Sequence, residues 1–257
     1  MNKYDFKQIP ALTAEEKKSP YAKFYSEPVV PPAKEVLAAL QPGKQMDCKL
    51  ALAPEDLNRL FMPSTLQADN GYCIMPDGFG YSVIHTKLPG VTMEMENFWN
   101  QWVSSNEYDY LNFKAALPGM HFMWANPVWE DFGWGPVSAQ MRAPVSPTAN
   151  SSLPKQLNPN FVSLGGAVLT IVPDFNGKPY WATMVKYTTM DKKGEDVITV
   201  IWHGIHIFND TPVRMLNKAD KADPEYVRAL TLHCAYEGAR KAQLLPGLYA
   251  YSKTIKK

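Results

Sequence analysis

The chain has almost no charge of one sign to spare: 26 Lys and Arg against 25 Asp and Glu leave a formal net charge of +1 over 257 residues. No Lys/Arg-rich segment stands out, which removes the electrostatic footprint of a nucleic-acid binder. Cysteine is scarce as well. Cys48, Cys73 and Cys234 are odd in number and not closely paired, so they read as reduced thiols of a cytoplasmic protein. Long hydrophobic runs are missing. The longest uncharged stretch, residues 156–173, is broken by Asn158, Pro159 and Asn160, and its apolar part is too short to span a bilayer. The first twenty residues carry no apolar stretch after their basic residues, so no secretory leader is expected. Neither nucleic acid nor membrane is expected as a partner.

What is present suits a folded domain. Hydrophobic residues make up 46% of the chain and charged residues 20%, which excludes disorder for most of it. The length favours one large domain, or one domain with a smaller appendage, over two full-sized domains. Pro10, Pro20, Pro28, Pro31, Pro32 and Pro42 repeatedly interrupt any helix near the start. We therefore divide the chain into a Pro-rich extension with short helices, residues 1–70, and a main domain, residues 71–257. Within the extension, residues 33–40 place Val36, Leu37 and Leu40 on one helical face, and Pro54 opens a second helix through Phe61. The extension reads either as a wrap on the body or as a dimer arm, which leaves a homodimer open.

Strand signals begin at residues 71–75, turn at Pro76-Asp77-Gly78, and resume from Tyr81 to Leu88. Thr92 then caps a helix with Met95, Phe98, Trp99 and Trp102 on one face. Residues 115–160 carry many prolines and read as a long irregular loop, the kind of segment that often carries function. Three further strands are expected at Phe161–Val172 and at residues 180–188 and 197–208, with Asp191-Lys192-Lys193-Gly194 joining the last two. Asp223 and Pro224 open a final helix, expected to stop at Pro246-Gly247. Strands in series closed by one long helix predict an α+β fold, an antiparallel sheet curled around that helix.

That helix is where chemistry is expected. Tyr226, Leu230, His233, Glu237 and Leu244 project within one inward stripe, and His233 and Glu237, four residues apart, lie one above the other. A carboxylate within an apolar stripe is costly without a cation. A metal ion is one such cation, and His with Glu suits zinc. A His–Glu hydrogen bond, or pairing with Arg240 or Lys241, is the structural alternative. His85, His203 and His206 sit on strands and read as core or surface histidines, whereas His121, in a Pro-rich loop, is freer to reach a site. In the run Val128-Trp129-Glu130-Asp131-Phe132-Gly133-Trp134, Glu130 is a candidate ligand or general base, and Trp124, Trp129 and Trp134 favour a flat apolar substrate.

Several motifs, taken in order, resemble one family. They are Met75-Pro76-Asp77-Gly78; Leu88-Pro89-Gly90-Val91-Thr92 with Glu94-Met95; Phe98-Trp99 followed by Trp102; Glu130-Asp131-Phe132-Gly133; and His233-Cys234 with Glu237, followed by Leu245-Pro246 and Leu248-Tyr249. The chain is similar, over roughly residues 60–250, to the phloretin hydrolase and 2,4-diacetylphloroglucinol hydrolase family. The resemblance implies a helix-grip (Bet v 1-like) domain and a zinc-dependent hydrolase cleaving the carbon–carbon bond between an acyl group and a phenolic ring. It implies a Zn2+ held by two His and two Glu, which map onto His233, Glu237, Glu130 and a histidine directly after Trp102. That last position is Val103 here, and His121 is the nearest replacement. Asn106 and Tyr108 are candidates to bind ring hydroxyls. The substrate implied is a small aromatic or phenolic ketone. The alternative is a non-catalytic carrier of a hydrophobic small molecule in a helix-grip cavity.

Overall fold

β-Branched and aromatic runs bury both their side chains and their backbone polar groups by pairing, and here they pair into one large antiparallel sheet. The structure, a computed structural model, describes residues 9–62, 64, 66–123, 128–131, 136–145, 158–172, 180–208, 211–217 and 220–255. The strands are β1 (Gly71–Ile74), β2 (Gly80–Pro89), β3 (His121–Met123), β4 (Val128–Asp131), β5 (Pro136–Val145), β6 (Phe161–Val172), β7 (Tyr180–Asp191) and β8 (Gly194–His203). Their order is β1-β2-β8-β7-β6-β5-β4-β3. β2 thus pairs with the eighth strand rather than the third, with Ser82 opposite Ile201 and Thr86 opposite Val197. A separate hairpin pairs β9 (Ile205–Phe208) with β10 (Thr211–Arg214).

Helix α5 (Pro224–Ser252) lies along this sheet, chiefly over β2. Its start follows from sequence: the Asp223 carboxylate accepts from the backbone N–H groups of Glu225 and Tyr226, and Pro224 gives up a donor that would have no partner. Alternation then sorts β8. Glu195, Thr199, Ile201 and His203 are buried on the helix side, where Ile84, Ile201, Tyr226, Val227 and Leu230 pack together. Val200 and Trp202 face the other way, onto Tyr81, Val83, Leu57 and Leu60, the last two from the 3-10 helix Pro54–Phe61. Both faces are covered, which is why the strand reads as a nearly continuous apolar run. The fold is α+β.

Between β2 and β3 the chain forms α3 (Met93–Val103) and α4 (Glu107–Ala116). The Thr92 hydroxyl accepts from Met95 N–H at 3.4 Å as the expected cap, and Trp99 and Trp102 are the buried face. α4 opens with Tyr108, Asp109 and Tyr110 at φ of 51°, 55° and 59°, a left-handed turn costing about 1–2 kcal/mol per residue. Two short helices, α1 (Ala22–Tyr25) and α2 (Lys34–Ala39), lie in the first seventy residues, and Val36 and Leu40 bury there as their spacing predicts. Part of the first thirty residues touches α5. Arg240 of α5, with no exposed surface, donates to the carbonyls of Phe24 (2.7 Å), Pro28 (3.1 Å) and Ala115 (3.4 Å).

Three expectations need correction. The Pro-rich stretch 115–160 is not one irregular loop: its described part includes β3, β4 and β5. Two of its prolines fall where a strand tolerates them, Pro136 at the first position of β5 and Pro144 beside the bulge between Met141 and Ala143. The final helix does not stop at Pro246. A proline inside a helix costs about 3 kcal/mol, but the fully buried Leu244, Leu245 and Leu248 around it each return about 1.5–3 kcal/mol. The expected strand at 197–208 is interrupted at Gly204, whose φ of 83° ends β8 before β9 begins.

Candidate functional site

The inward stripe of α5 delivers His233, only 1% exposed, and one turn later Glu237. The edge of the sheet delivers the rest. In the β3–β4 pair, His121 stands directly opposite Glu130, so both side chains leave the same face at one level. His121, Glu130, His233 and Glu237 converge, each offering one nitrogen or oxygen, with all four atoms within 4.8 Å of one another. His121 Nε2 is 3.0 Å from Glu237 Oε1 and 3.3 Å from His233 Nε2, and His233 Nε2 is 3.5 Å from Glu130 Oε2. These four are the residues the sequence reading nominates as ligands, and they form a group able to hold a metal ion.

The imidazole of His121 is fixed from behind. Its Nδ1 donates to the Phe113 carbonyl at 3.1 Å, and its ring stacks on the Phe113 side chain at 4.2 Å between centroids. Nδ1 therefore carries the proton, and Nε2 faces the cluster, the arrangement typical of a metal-ligating histidine. Burial opposes charge on His121, yet its hydrogen bond to Glu237 and the nearby Glu130 carboxylate outweigh that, and its pKa is raised. Burial likewise opposes charge on Glu237, but the His121 hydrogen bond and the charges of His121, His233 and Lys186 hold its carboxyl well below the usual range. The cluster is one that demands positive charge.

Neither cation considered as a structural partner of Glu237, Arg240 or Lys241, is the one it pairs with. It pairs with His121 from across the fold, while Arg240 serves backbone carbonyls and Lys241 turns to two other glutamates. His233 is 3.5 Å from Glu130. Among the strand histidines, His203 is fully buried with Ser82 Oγ 3.4 Å from its Nε2, and His206 stacks on Trp181. His85 is 3.6 Å from Asp196. None of the three joins the cluster.

Beside the cluster lies a cavity of about 290 Å³. His121, Cys234 and Glu237 line one part of it, Trp99, Val103 and Leu88 give it apolar wall, and Glu96, Glu195 and Lys241 line another part. Val103 thus stands in the wall of the cavity that His121 reaches. Two glycines set how closely α5 approaches β2. A methyl group on Gly238 would meet Thr86 Cγ2 at 2.7 Å, and one on Gly80 would meet Val227 Cγ2 at 2.4 Å. Asn106 is exposed at the start of α4, and Tyr108 packs with the cluster of Trp99 and Trp102; neither is among the described residues lining the cavity. Trp124 and Trp134, and the side chain of Trp129, lie outside the described residues. The three cysteines are free, and burial pushes the thiol of Cys73 up to about 12 and that of Cys234 up further.

Glu96, Glu195 and Lys241 escape a motif-based reading. Lys241 Nζ contacts Glu96 Oε2 and sits 3.3 Å from Glu195 Oε2, and the Glu195 side chain is 2% exposed. A signal existed in strand alternation: Glu195 shares the helix-facing side of β8 with Val197, Thr199 and Ile201.

Comparison with known proteins bears on the first part of this site. Residues 52–131 match the family model described as the DAPG hydrolase PhiG domain. Two curated relatives are each 29% identical over 83 residues, or 32% of this chain: 2,4-diacetylphloroglucinol hydrolase of Pseudomonas protegens, of which the match covers 27%, and the protein of the same name from a Pseudomonas species, of which it covers 28%. The match thus spans about a quarter of the length of these relatives. His121 and Glu130 fall inside the matched stretch, and His233 and Glu237 beyond it. Over residues 52–131 the chain is similar to the 2,4-diacetylphloroglucinol hydrolase family, the family its motifs resemble.

Proposed function

We propose that the protein is a Zn2+-dependent hydrolase that cleaves the carbon–carbon bond between an acyl group and a phenolic ring, as in an acyl-phloroglucinol. The observation that carries this reading is the convergence of two imidazoles and two carboxylates at the wall of a small cavity. The donor set fits zinc. Four ligands at about 2.0–2.1 Å in a tetrahedron stand about 3.3 Å apart. Three of the separations within the group, 3.0, 3.3 and 3.5 Å, bracket that value. His121 then takes the place left by Val103. The sheet and helix are compatible with a helix-grip fold, and with three free thiols we read the protein as cytoplasmic. No helix among the described residues is long and apolar enough to cross a membrane.

When bound, such an ion polarises a ketone oxygen and lowers the pKa of water. The chain's own residues do the rest. Phe113 holds the His121 tautomer, and Trp99, Val103 and Leu88 offer apolar wall against which a flat ring packs. Water supplies hydroxyl to the acyl carbon and a proton to the ring carbon, and the bond between them breaks to give a carboxylic acid and a phenol. Glu130 and Glu237, both carboxylates, supply the negative charge that retains a divalent cation. The test is elemental analysis of the purified full chain together with chromatography after incubation with an acyl-phloroglucinol. Stoichiometric zinc and release of the free phenol are expected, and His121→Ala or His233→Ala should lower both at least about tenfold. A protein without zinc that binds the ketone but leaves it intact would be a carrier instead.

A further inference from the structure

The cavity also holds charge that the candidate ligand cluster does not use. Lys241 Nζ bridges Glu96 Oε2 and Glu195 Oε2, joining α5 to α3 and β8. All three residues line the cavity, and the side chains are 15%, 18% and 2% exposed for Lys241, Glu96 and Glu195. An ammonium has three N–H donors; Lys241 gives one to Glu195 and forms an ion pair with Glu96, whose other oxygen accepts from Asn100, so among the described residues its donors are not all used. Two carboxylates also hold more acceptor sites than one ammonium fills. The cavity wall therefore includes a buried group with both a donor and acceptors to spare.

Its placement fixes what it meets. Lys241 follows Glu237 by four residues on one helix, a rise of about 6 Å. That is close to the span from an acyl carbon attached to a benzene ring to the oxygen of a hydroxyl para to it. Building on the hydrolase reading above, we propose that Glu96, Lys241 and Glu195 form the subsite for a ring hydroxyl para to the acyl group. The hydroxyl donates to a carboxylate and accepts from the ammonium. The ring carbon that bears the acyl group takes its proton first, as the para hydroxyl gives its own to a carboxylate and becomes a ring carbonyl. When the acyl bond then breaks, its electron pair passes through the ring to that oxygen, beside the positive charge of Lys241, and the phenol re-forms. The substrate class is then narrower than phenolic ketones at large: it is acyl-phenols with a free para hydroxyl. A site built to hydrogen-bond a hydroxyl rejects the analogue lacking it, because its own buried polar groups lose their partner.

The test uses the full chain as purified and two amides that keep the carbonyl but resist cleavage, 2,4,6-trihydroxybenzamide and 2,6-dihydroxybenzamide, which differ only in the para hydroxyl. Titration calorimetry should give at least about tenfold tighter binding of the trihydroxy compound. Lys241→Met and Glu195→Gln should each bring that ratio below about threefold while leaving zinc content and the affinity for the dihydroxy compound unchanged. A merely structural role for the trio would move both ligands together. A ratio near one in the unsubstituted protein overturns the subsite, as does a ratio that survives in either variant. The unsubstituted comparison decides even if a variant fails to fold. A tenfold ratio without zinc or hydrolysis would retire the reaction and keep the subsite, whereas zinc and hydrolysis with a ratio near one would do the reverse.

Discussion

Replacing Gly238 by alanine should reveal how tightly the site-bearing helix is held against the sheet. Gly238 follows Glu237 directly, and its position faces Thr86 of β2. A Cβ there would lie 2.7 Å from Thr86 Cγ2, 2.9 Å from Oγ1 and 3.3 Å from Cβ. The first two are far inside ordinary contact, so either Thr86 leaves its rotamer or α5 lifts by several tenths of an ångström. Overpacking of this kind costs about 1–3 kcal/mol. Alanine gains about 0.8–1.0 kcal/mol over glycine inside a helix. The two nearly offset each other, so the single variant should range from neutral to about 2 kcal/mol less stable. The informative measurement is the cycle with Thr86→Ala, which removes both offending atoms and leaves only the 3.3 Å contact. In that background Gly238→Ala should stabilise by about 0.5–1 kcal/mol from propensity alone. Urea denaturation of the four proteins should give a coupling of about 1–3 kcal/mol, with loss of zinc affinity in the single Gly238→Ala variant only. A coupling near zero would mean that the helix does not rest on Thr86, and the reasoning about its height would fail.

Two further outcomes follow from buried charge. Arg240→Met leaves the carbonyls of Phe24, Pro28 and Ala115 without their donor and should destabilise by about 2–4 kcal/mol, with limited proteolysis cutting the first thirty residues fastest; an unchanged cleavage pattern would contradict the clamp. His203 is held down to about 3 by burial, against an ordinary 6.5, so a proton prefers the unfolded chain. Its contribution to stability is undiminished above pH 6.5 and is lost as pH falls toward 3, at up to about 1.4 kcal/mol per pH unit. His203→Gln should flatten denaturation midpoints between pH 6.5 and 4 relative to the parent, and parallel slopes would refute this.

The site was legible where side-chain type and local spacing carry the signal. His233 and Glu237 stand out because a carboxylate one turn from a histidine, within an apolar stripe, needs a partner, either a metal ion or a hydrogen-bonding or cationic side chain. Glu130 and His121 were nominated from loop composition and resemblance, and what joins them is invisible in one dimension. Their cross-strand register depends on where β3 turns into β4, and prolines at strand starts and bulges disguise strands as loops. Glu195 went unread, and Lys241 was considered only as a partner for Glu237, for a different reason. Lysines and glutamates are ordinarily solvated, and only the pairing of β8 with β2 and the approach of α5 reveal these two as buried together. The helix end was misplaced because Pro246 is a local penalty, whereas the compensation comes from leucines packed on residues more than a hundred positions earlier.

The metal-binding group is drawn from two places far apart in the chain, His121 and Glu130 at one sheet edge and His233 and Glu237 on α5. During synthesis the first pair emerges more than a hundred residues before the second. Until the helix docks, the early half is a histidine and a carboxylate facing each other across a strand pair, a weak bidentate chelate open to any passing ion. Closure by α5 raises the number of donors from two to four in a single event, and the same docking completes the Lys241 bridge and the Arg240 clamp. On the hydrolase reading proposed above, metal capture would report on the docking of α5, and a nascent or truncated chain lacking the docked helix should then exchange the ion more freely than the full chain.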